Sequence, residues 1–382
     1  MEFFNVWDLE RVNIKINKSF LDYINKTILS KYNSKVESYR GLFCNNEIPW
    51  ISFKNMLKKS YMRDFFVPLD IFLIICDKLK IDKNILQSNI ISYKTAGGVN
   101  FIENPTLPIK IGPVFHMLFA HHIGDGTVIN PKKGRLPYFG YRQFDKFYRT
   151  GYIRKIESIF GKIKFKEGDY FENTTRPYCP PVLSSLFFKY YSLDVNGFKS
   201  TSSRIPKFVL EKDKDSLLSI LIAFIIDEGH VDSTQITIVL KNKPLIDDLA
   251  KICEILNYKY KITYRNNETY QDYGYLNILR DGVKMLYKDY TILNKSYPLI
   301  DLGWKGERIK NSLKVYGREI YKTKGNLEKI LEILNTEELS VNQIANRINM
   351  TRQGVRYHIH NLIKSNKIKL IDKTKDNWIY GV

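Results

Sequence analysis

LFAHHIGDG (residues 118–126) and LIAFIIDEG (residues 221–229) are two forms of one nine-residue pattern. Each predicts an apolar helix that ends in an acidic residue followed by glycine, and we expect that glycine to stop the helix in the left-handed conformation. The second helix is apolar on nearly every face, so it must be buried on all sides. The duplicated pattern therefore places at least one of its helices in the core.

The two copies remain similar downstream of the glycine. In each, a short strand and a turn lead to a second strand, over 138–143 in the first copy and 234–240 in the second, and a helix follows. The next strand alternates in both copies, so its basic residues share one face and its apolar residues the other. A solvated surface is the ordinary interpretation of one such strand, but its recurrence favours a surface for nucleic acid. The basic residues of these faces are Lys162, Lys164 and Lys166 in the first copy and Lys259, Lys261 and Arg265 in the second.

The composition agrees with a folded, strongly basic protein. The chain has 382 residues, which suggests two or three domains at about 150 residues each. Hydrophobic residues make up 44% of the sequence, which is enough to build cores. The 60 lysines and arginines exceed the 40 acidic residues, and the net charge is +20. Such a protein usually has a polyanionic partner, most often nucleic acid, although a surface charged for solubility is the alternative.

Several classes of protein are excluded early. The longest apolar stretch, residues 65–79, is interrupted by Pro68, Asp70 and Asp77, so it predicts no bilayer-spanning segment. The acidic and polar residues 7–10 argue against a signal peptide. The four cysteines are far apart and form no Cys-x-x-Cys pair, which argues against a zinc ribbon or a disulfide scaffold and favours a cytoplasmic protein.

The pattern of apolar and polar residues changes along the chain, and these changes predict three regions and a linker. Residues 1–95 predict short helices, over 18–29, 52–59 and 69–79, which form either a helix-turn-helix or a small packing domain. Residues 96–315 contain the duplicated unit. The polar stretch at 316–326 predicts a linker.

The last region, 327–382, predicts a winged helix-turn-helix. Ser340 and Thr351 are expected to cap its second and third helices, and two short strands follow, over 367–372 and 378–380. The third helix carries Arg352, Gln353 and Arg356, which suit base edges in a DNA major groove. A domain that makes protein contacts is the alternative.

The two nonapeptides, with the same elements after each, resemble the paired motifs of the LAGLIDADG homing endonucleases in their two-repeat, single-chain form. The resemblance covers about residues 105–300 and implies an α+β core with pseudo-twofold symmetry, in which the two motif helices pack backbone to backbone. Ala120 and Gly124 are small enough for that approach, whereas Asp227 suits it less well. The family's catalytic acid, at position eight, falls on Asp125 in the first copy and on Glu228 in the second.

Two acids at adjacent helix ends suit divalent cations. Each lies in the unfavourable field of a helix C-terminus, and at about 4 Å and an effective dielectric of about 20 they repel by about 4 kcal/mol. Mg²⁺ or Mn²⁺ would relieve that repulsion, held by Asp125, Glu228 and the main-chain carbonyls of Gly124 and Asp227. Bound metals can activate water and stabilise the leaving oxygen in phosphodiester hydrolysis, and the resemblance implies one such site per DNA strand. The alternative is that the acids only terminate helices.

Other polar residues near the motifs receive weaker assignments. His121 and His122 point about 100° apart on a helix, so packed or hydrogen-bonded histidines are expected rather than metal ligands. The family places a basic residue in each site to orient water. The sequence does not choose between Arg280 and Lys241 in the second copy, or between Arg142 and Lys162 in the first.

These features predict a monomeric, site-specific, double-stranded DNA endonuclease. DNA affinity should come largely from phosphate contacts, and the candidate base readers on the sheets are Arg142, Gln143, Gln235 and Thr237. The layout also resembles bacterial regulators that pair degenerate LAGLIDADG repeats with a helix-turn-helix, so a non-cleaving transcriptional regulator is the first alternative. An RNA-binding maturase is the second.

Overall fold

A computed structural model describes residues 2–43, 48–59, 65–131, 134–165, 176–232, 234–267, 270–316, 325–373 and 378–382. The chain is a mixed α+β protein, which confirms the predicted class. It divides into two compact units, Met1–Gly306 and Glu307–Val382. Among the helices in these ranges, none is both long and apolar enough to cross a membrane.

The N-terminal part of the first unit alternates between strands and helices. Its elements are β1 (Glu2–Phe4), β2 (Val12–Ile16), α1 (Lys18–Lys31), α2 (Lys35–Leu42), α3 (Trp50–Lys59), β3 (Val67–Pro68), α4 (Leu69–Leu79), α5 (Lys83–Ser88), β4 (Ile90–Thr95), β5 (Phe101–Glu103) and β6 (Ile109–Ile111). Helices α1, α3 and α4 cover the three predicted helical stretches.

The prediction of a separate helical domain over 1–95 is nevertheless wrong. Strands β2, β3 and β4 join β5 and a strand of the first copy, β9 (Lys162–Lys164), in a five-stranded antiparallel sheet of order β3-β2-β4-β5-β9. The alternation of buried Val12, Ile14 and Ile16 with polar residues is the strand signal that the helical interpretation missed. The backbone hydrogen bonds of this sheet join residues 1–95 to the central region.

Both copies of the duplicated unit show the expected order of helix, strand, strand, helix and strand. The first contains α6 (Pro113–Ile123), β7 (Gly126–Ile129), β8 (Tyr138–Tyr141), α7 (Lys146–Phe160) and β9, followed by α8 (Pro181–Tyr191) and α9 (Lys207–Leu210). The second contains α10 (Lys214–Glu228), β10 (Gly229–Val231), β11 (Gln235–Leu240), α11 (Lys243–Ile255), β12 (Tyr260–Asn267), β13 (Tyr270–Leu279), α12 (Arg280–Ser296) and α13 (Trp304–Tyr316). The second copy forms an antiparallel sheet of order β10-β11-β13-β12.

The two motif helices, α6 and α10, pack against each other in the core. Every residue of α10 from Ser216 to Ile226 is buried, as its apolar sequence predicts. Neither glycine takes the expected left-handed conformation. Gly229 is extended at φ −79° and ψ 129°, and Gly126, the first residue of β7, does not have a positive φ. They are required by space instead: a Cβ on Gly126 would lie 2.1 Å from the His122 carbonyl oxygen, and one on Gly229 would lie 2.4 Å from that of Ile225.

The second unit has its own small core. It contains α14 (Asn326–Leu334), β14 (Leu339–Ser340), α15 (Val341–Arg347), α16 (Arg352–Lys364), β15 (Lys369–Lys373) and β16 (Trp378–Gly381), with sheet order β14-β16-β15. Ser340 accepts a hydrogen bond from the Gln343 amide and Thr351 from the Gly354 amide, so both predicted caps are confirmed. Most of the predicted linker lies outside the described residues, and the division between the units falls earlier, after Gly306.

Candidate active site

The two predicted catalytic acids lie at the ends of the packed motif helices. Glu228 is the last residue of α10, whereas Asp125 stands two residues beyond the end of α6, in the turn that leads into β7. Both residues are half-buried. The pKa of Asp125 is raised to about 8, mainly by burial and then by the negative charges of Asp227 and Glu228. The structure therefore brings the acids of both copies into one electrostatic cluster.

Asp227 is the third acid of this cluster, and its side chain is completely buried. The Tyr141 hydroxyl donates to one of its carboxylate oxygens at 2.7 Å. His121 Nδ1 lies 2.9 Å from the other, so a neutral imidazole protonated at Nδ1 can donate to it. Both partners come from the first copy. Asp227 therefore belongs to the seam between the copies, where a Cβ on Gly124 would lie 3.0 Å from its carboxylate.

The histidines behave as packed, hydrogen-bonded residues, which confirms the expectation. His122 Nε2 lies 3.0 Å from the Tyr152 hydroxyl, and its ring stacks on Phe139 with 4.0 Å between centroids. Burial lowers the pKa of both His121 and His122 well below the ordinary value. Both imidazoles are therefore neutral at pH 7, and they add no positive charge to the acidic cluster.

Lys305 is a buried cation at the site that sequence reasoning missed. Its ammonium donates to the main-chain carbonyls of Ile225, Ile226 and Gly229, at 2.8, 2.6 and 2.8 Å. A positive charge at a helix C-terminus is favourable, and these carbonyls belong to the last turn of α10 and the residue after it. Lys305 also lowers the pKa of Glu228. No local sequence signal identifies it, because it comes from the start of α13, far along the chain.

Lys155 is a second buried cation that the sequence analysis did not select. It is 4% exposed, and burial lowers its pKa to about 8, although Asp227 and Asp301 oppose that shift. A signal for it exists in the sequence, since Lys155 follows Tyr148 and Tyr152 on the buried face of α7. A lysine on the apolar face of an amphipathic helix requires a nearby negative charge, and Asp227 contributes one.

The pKa values of the acids remain raised despite these cations. Burial and the charge of Asp227 raise the pKa of Glu228, and burial raises that of Asp227 to about 7. Among the residues that the structure describes, Gln143 Nε2 donates to the Asp125 carboxylate at 3.3 Å, and a carboxylate has about four acceptor positions. Open acceptor positions on a carboxylate that lies beside other acids are ligands that a divalent cation can use.

In the absence of a substrate, the side chains of the site provide only part of the ligands that a divalent cation needs. Within the described ranges, no three side chains of the His, Cys, Asp or Glu type are grouped to bind a metal ion. Mg²⁺ commonly takes one or two carboxylates and completes its shell with water and substrate phosphates. Asp125 and Glu228 meet that lower requirement. The carboxylate of Asp227 is not available as a ligand, because Tyr141 and His121 already form hydrogen bonds with it.

The residues of the first copy that were predicted to contact DNA lie in different surroundings. Arg142 is exposed beside the acids and lowers the pKa of Asp125. Gln143, expected to read bases, contacts Asp125 instead. Lys162 is exposed, whereas Lys164 pairs with Glu103 at 3.2 Å on the surface. Lys166 lies outside the described residues.

In the second copy, polar residues form a row across the sheet. His230 pairs with Thr237, Thr237 with Asn277 and Asn277 with Lys261 in register on neighbouring strands. Hydrogen bonds join the predicted base readers to this row, since Gln235 donates to Thr237 and Thr237 donates to Asn277 at 2.9 Å. Asn277 was not selected from the sequence. Its position opposite Thr237 depends on the register of two strands that are distant in the chain.

The remaining candidates are less central. Lys259 is exposed near Asp281, at 3.9 Å, and Arg280 is partly buried at the first position of α12. The Arg265 side chain lies outside the described residues. In the second unit, Arg352, Gln353 and Arg356 are exposed on α16, while Val355, Ile359 and Leu362 on the opposite face fill the core.

The raised pKa of Asp125 predicts a pH dependence of stability in the metal-free protein. Its ordinary value is 3.8 and its folded value about 8, so between these pH values the folded chain holds a proton that the unfolded chain has released. The free energy of unfolding should therefore fall as pH rises through this window. Asp125→Asn removes this contribution. Urea titrations in EDTA at pH 5, 6.5 and 8 should show wild type losing stability relative to Asp125→Asn as pH rises. The exposed Glu211→Gln serves as the control, and a difference between wild type and Asp125→Asn that does not change with pH would contradict the assignment.

Comparisons with known proteins give a limited likeness of fold. No protein-family model matches this chain, and no curated protein matches it in sequence. Three solved structures that resemble part of it are all of the homing endonuclease I-DmoI. One describes mesophilic variants, at 17% identity and a TM-score of 0.33, over 46% of this chain and 93% of that one. A complex with DNA and Ca matches at 17% and 0.36, over 52% and 97%, and a complex with DNA and Mn at 16% and 0.33, over 46% and 94%.

Proposed function

We propose that this protein is a site-specific endonuclease that cuts double-stranded DNA with the help of Mg²⁺ or Mn²⁺. One observation carries the proposal: Asp125, just after α6, and Glu228, the last residue of α10, share one electrostatic cluster at the seam of the two packed helices. Burial and neighbouring acids raise the pKa of both residues, and perturbed pKa values of this kind are concentrated at functional sites. The pseudo-twofold relation of the copies is part of this proposal.

Different residues have different roles at the proposed site. Asp125 and Glu228 would hold the cations, with the main-chain carbonyls of Gly124 and Asp227 as further ligands. A bound cation supplies Lewis-acid stabilisation of the phosphate and a lower pKa for a water molecule. Gln143 orients the Asp125 carboxylate through its hydrogen bond. The exposed guanidinium of Arg142 lies close enough to lower the pKa of Asp125, and in this proposal it would contact the scissile phosphate.

The DNA would lie on the outer faces of the sheets. In the second copy the row His230, Thr237, Asn277 and Lys261 offers donors and acceptors for base edges or phosphates. In the first copy Lys162 and Lys164 offer positive charge. The second unit, which we propose to be a winged helix-turn-helix, adds Arg352, Gln353 and Arg356 for a major groove.

A direct experiment tests the proposed function. The full chain is incubated with a randomised duplex DNA library in Mg²⁺, Mn²⁺ or EDTA, and new DNA ends are sequenced. Cuts at a defined sequence that require the divalent cation support the endonuclease. Tight, sequence-selective binding without cuts in either cation would indicate the regulator, and binding only to RNA would indicate the maturase.

The exposed face of α16 gives a separate prediction. Replacing Arg352 and Arg356 together by alanine removes two exposed cations without touching the core of the second unit. If both reach DNA, affinity for the selected sequence should fall by about 2 kcal/mol or more, and base preference should relax at the positions that α16 reads. Anisotropy titrations on selected and mutated duplexes measure both effects. The matched control is Lys329→Ala with Lys364→Ala, and equal losses in the two double variants would count against base reading by α16.

A further inference from the structure

The outer face of the second-copy sheet is accessible at its centre. The inner face is marked by four buried residues, Ile236, Ile238, Leu276 and Ile278. Side chains one position away along a strand point to the opposite face, and Thr237 and Asn277 are such neighbours on the two central strands, β11 and β13. Both are partly exposed, and Lys261, the partner of Asn277 on β12, is exposed. A ligand on this face can therefore reach the middle of the polar row.

The side-chain oxygen of Asn277 is held from β11 by two hydrogen bonds. Thr237 Oγ1 donates to Asn277 Oδ1 at 2.9 Å, and Gln235 Nε2 donates to the same oxygen at 3.2 Å. Gln235 Nε2 also donates to Thr237 Oγ1 at 3.2 Å, so the hydroxyl proton of Thr237 is left for Asn277. An amide oxygen has two lone pairs, and in Asn277 both are used within the protein.

The amide nitrogen of Asn277 faces the other neighbouring strand, β12. Asn277 Nδ2 donates to the main-chain carbonyl oxygen of Lys261 at 3.5 Å. If the amide were turned over, its oxygen would face that carbonyl oxygen and its nitrogen would face Gln235 Nε2, so two acceptors and two donors would meet. The surroundings therefore fix the orientation of the amide. The hydrogen-bonding capacity that remains to Asn277 is the second N–H of Nδ2, which is a donor.

This arrangement determines which base edge the centre of the sheet can match. Asparagine recognises adenine through a pair of hydrogen bonds that needs both its oxygen and its nitrogen, and the oxygen of Asn277 is used. Lys261 lies beside Asn277 on the same face, because cross-strand partners have Cβ atoms about 4.5–5.5 Å apart, and an ammonium group only donates. Two adjacent donors match guanine, whose edge in the major groove presents two acceptors, N7 and O6.

From this hydrogen-bond network we infer that Asn277, with Lys261 beside it, reads a guanine in the DNA major groove. Thr237 and Gln235 act as positioning residues, because they hold the amide with its donor directed outward. The inference rests on the proposed DNA binding and deepens it, since it names the base that the centre of this sheet selects.

Selection of binding sites from a randomised duplex library in EDTA, with the full chain, tests this assignment. At one position wild type should prefer guanine to each other base by about 10-fold, which is the discrimination that a good pair of hydrogen bonds provides. Asn277→Asp keeps an oxygen for Gln235 and Thr237 and replaces the donor by an acceptor. The preference at that position should therefore change to cytosine, whose N4 group donates. Anisotropy titrations on four duplexes that differ only at this position measure the ratios.

Thr237→Val gives a second, independent measurement. Valine is close to threonine in size but removes the hydroxyl that fixes the amide, so Asn277 can turn over and accept adenine. The preference for guanine over adenine should fall several-fold, and Thr237→Ser should retain it. The matched control is Asn257→Asp, which changes an exposed asparagine in the turn between α11 and β12 and should alter no position of the selected sequence.

The outcomes separate the inference from the proposed function. If wild type selects a sequence and Asn277→Asp changes no position in it, or if the changed position favours a base other than guanine in wild type, the inference is wrong. An unchanged preference in Thr237→Val would show that the hydroxyl does not position the amide. Circular dichroism verifies that every variant is folded. A wild type that selects no sequence from the library would mean that the proposed function itself is wrong.

Discussion

Asp125→Asn and Glu228→Gln are each expected to lower the rate of DNA cleavage by about 10³-fold or more, while DNA binding in EDTA is retained. Both changes keep the size of the side chain and remove its charge, so the loss would reflect the carboxylate and not the packing. Metal-assisted hydrolysis loses its ligand in such a variant, and contributions of this kind are commonly about 10²–10⁴-fold. Single-turnover cleavage of the selected duplex in Mg²⁺ measures the effect.

The two variants should also be more stable than wild type at pH 8 in the absence of metal. Burial and the neighbouring acids raise the pKa of both residues, so a neutral amide avoids a cost that the ionised acid carries. Loss of activity together with a higher melting temperature separates a functional role from a folding defect. Glu211→Gln, an exposed acid of the same region, should change neither property. Undiminished cleavage by Asp125→Asn or Glu228→Gln would refute the proposed site.

Lys305→Met is expected to destabilise the protein by about 3 kcal/mol. Removal of one partner from a buried, charged network typically costs about 3–5 kcal/mol, because the remaining groups stay buried without compensation. Here those groups are the carbonyls of Ile225, Ile226 and Gly229 and the nearby acids. Urea titration at pH 7 in EDTA measures the change in the free energy of unfolding.

Lys310→Met provides the matched control on the same helix. Lys310 pairs with Glu307 at 3.5 Å on the surface, where its side chain is 44% exposed, and such pairs contribute about 0–1 kcal/mol. The destabilisation by Lys305→Met should also be larger at pH 8 than at pH 5, since more of the neighbouring acids are ionised at the higher pH. Two lysine variants of equal stability would show that Lys305 does not hold the end of α10.

Much of the fold follows from local patterns. The period and composition of residues 327–382 place three helices and two strands within a few residues of their positions, because each boundary has a capping residue or a change of period. The buried motif helix α10 follows from its apolar sequence in the same way. The error at 1–95 arose because strands β2, β3 and β4 are short, and the helices between them dominate the pattern.

Only part of the candidate site follows from local patterns. Repetition of a nonapeptide is enough to select Asp125 and Glu228, since the pattern that identifies the two helices also carries the acids. Asp227 was expected to disturb the seam, and nothing in its own segment indicates that Tyr141 and His121 satisfy it. Lys305, whose ammonium binds the end of α10, is 77 residues beyond Glu228 in the chain. The periodicity of a local segment cannot predict a contact between residues so far apart.

The sequence by itself determined the duplicated helix–strand units, the paired acids and the strong positive charge of this protein, because each depends on residues that are neighbours in the chain. Only the tertiary structure decided that the N-terminal strands extend the sheet of the first copy, and that Lys155 and Lys305 are buried beside the acids. Strand pairing and burial depend on which distant segments meet, and electrostatic energy depends on the distances and the dielectric that result.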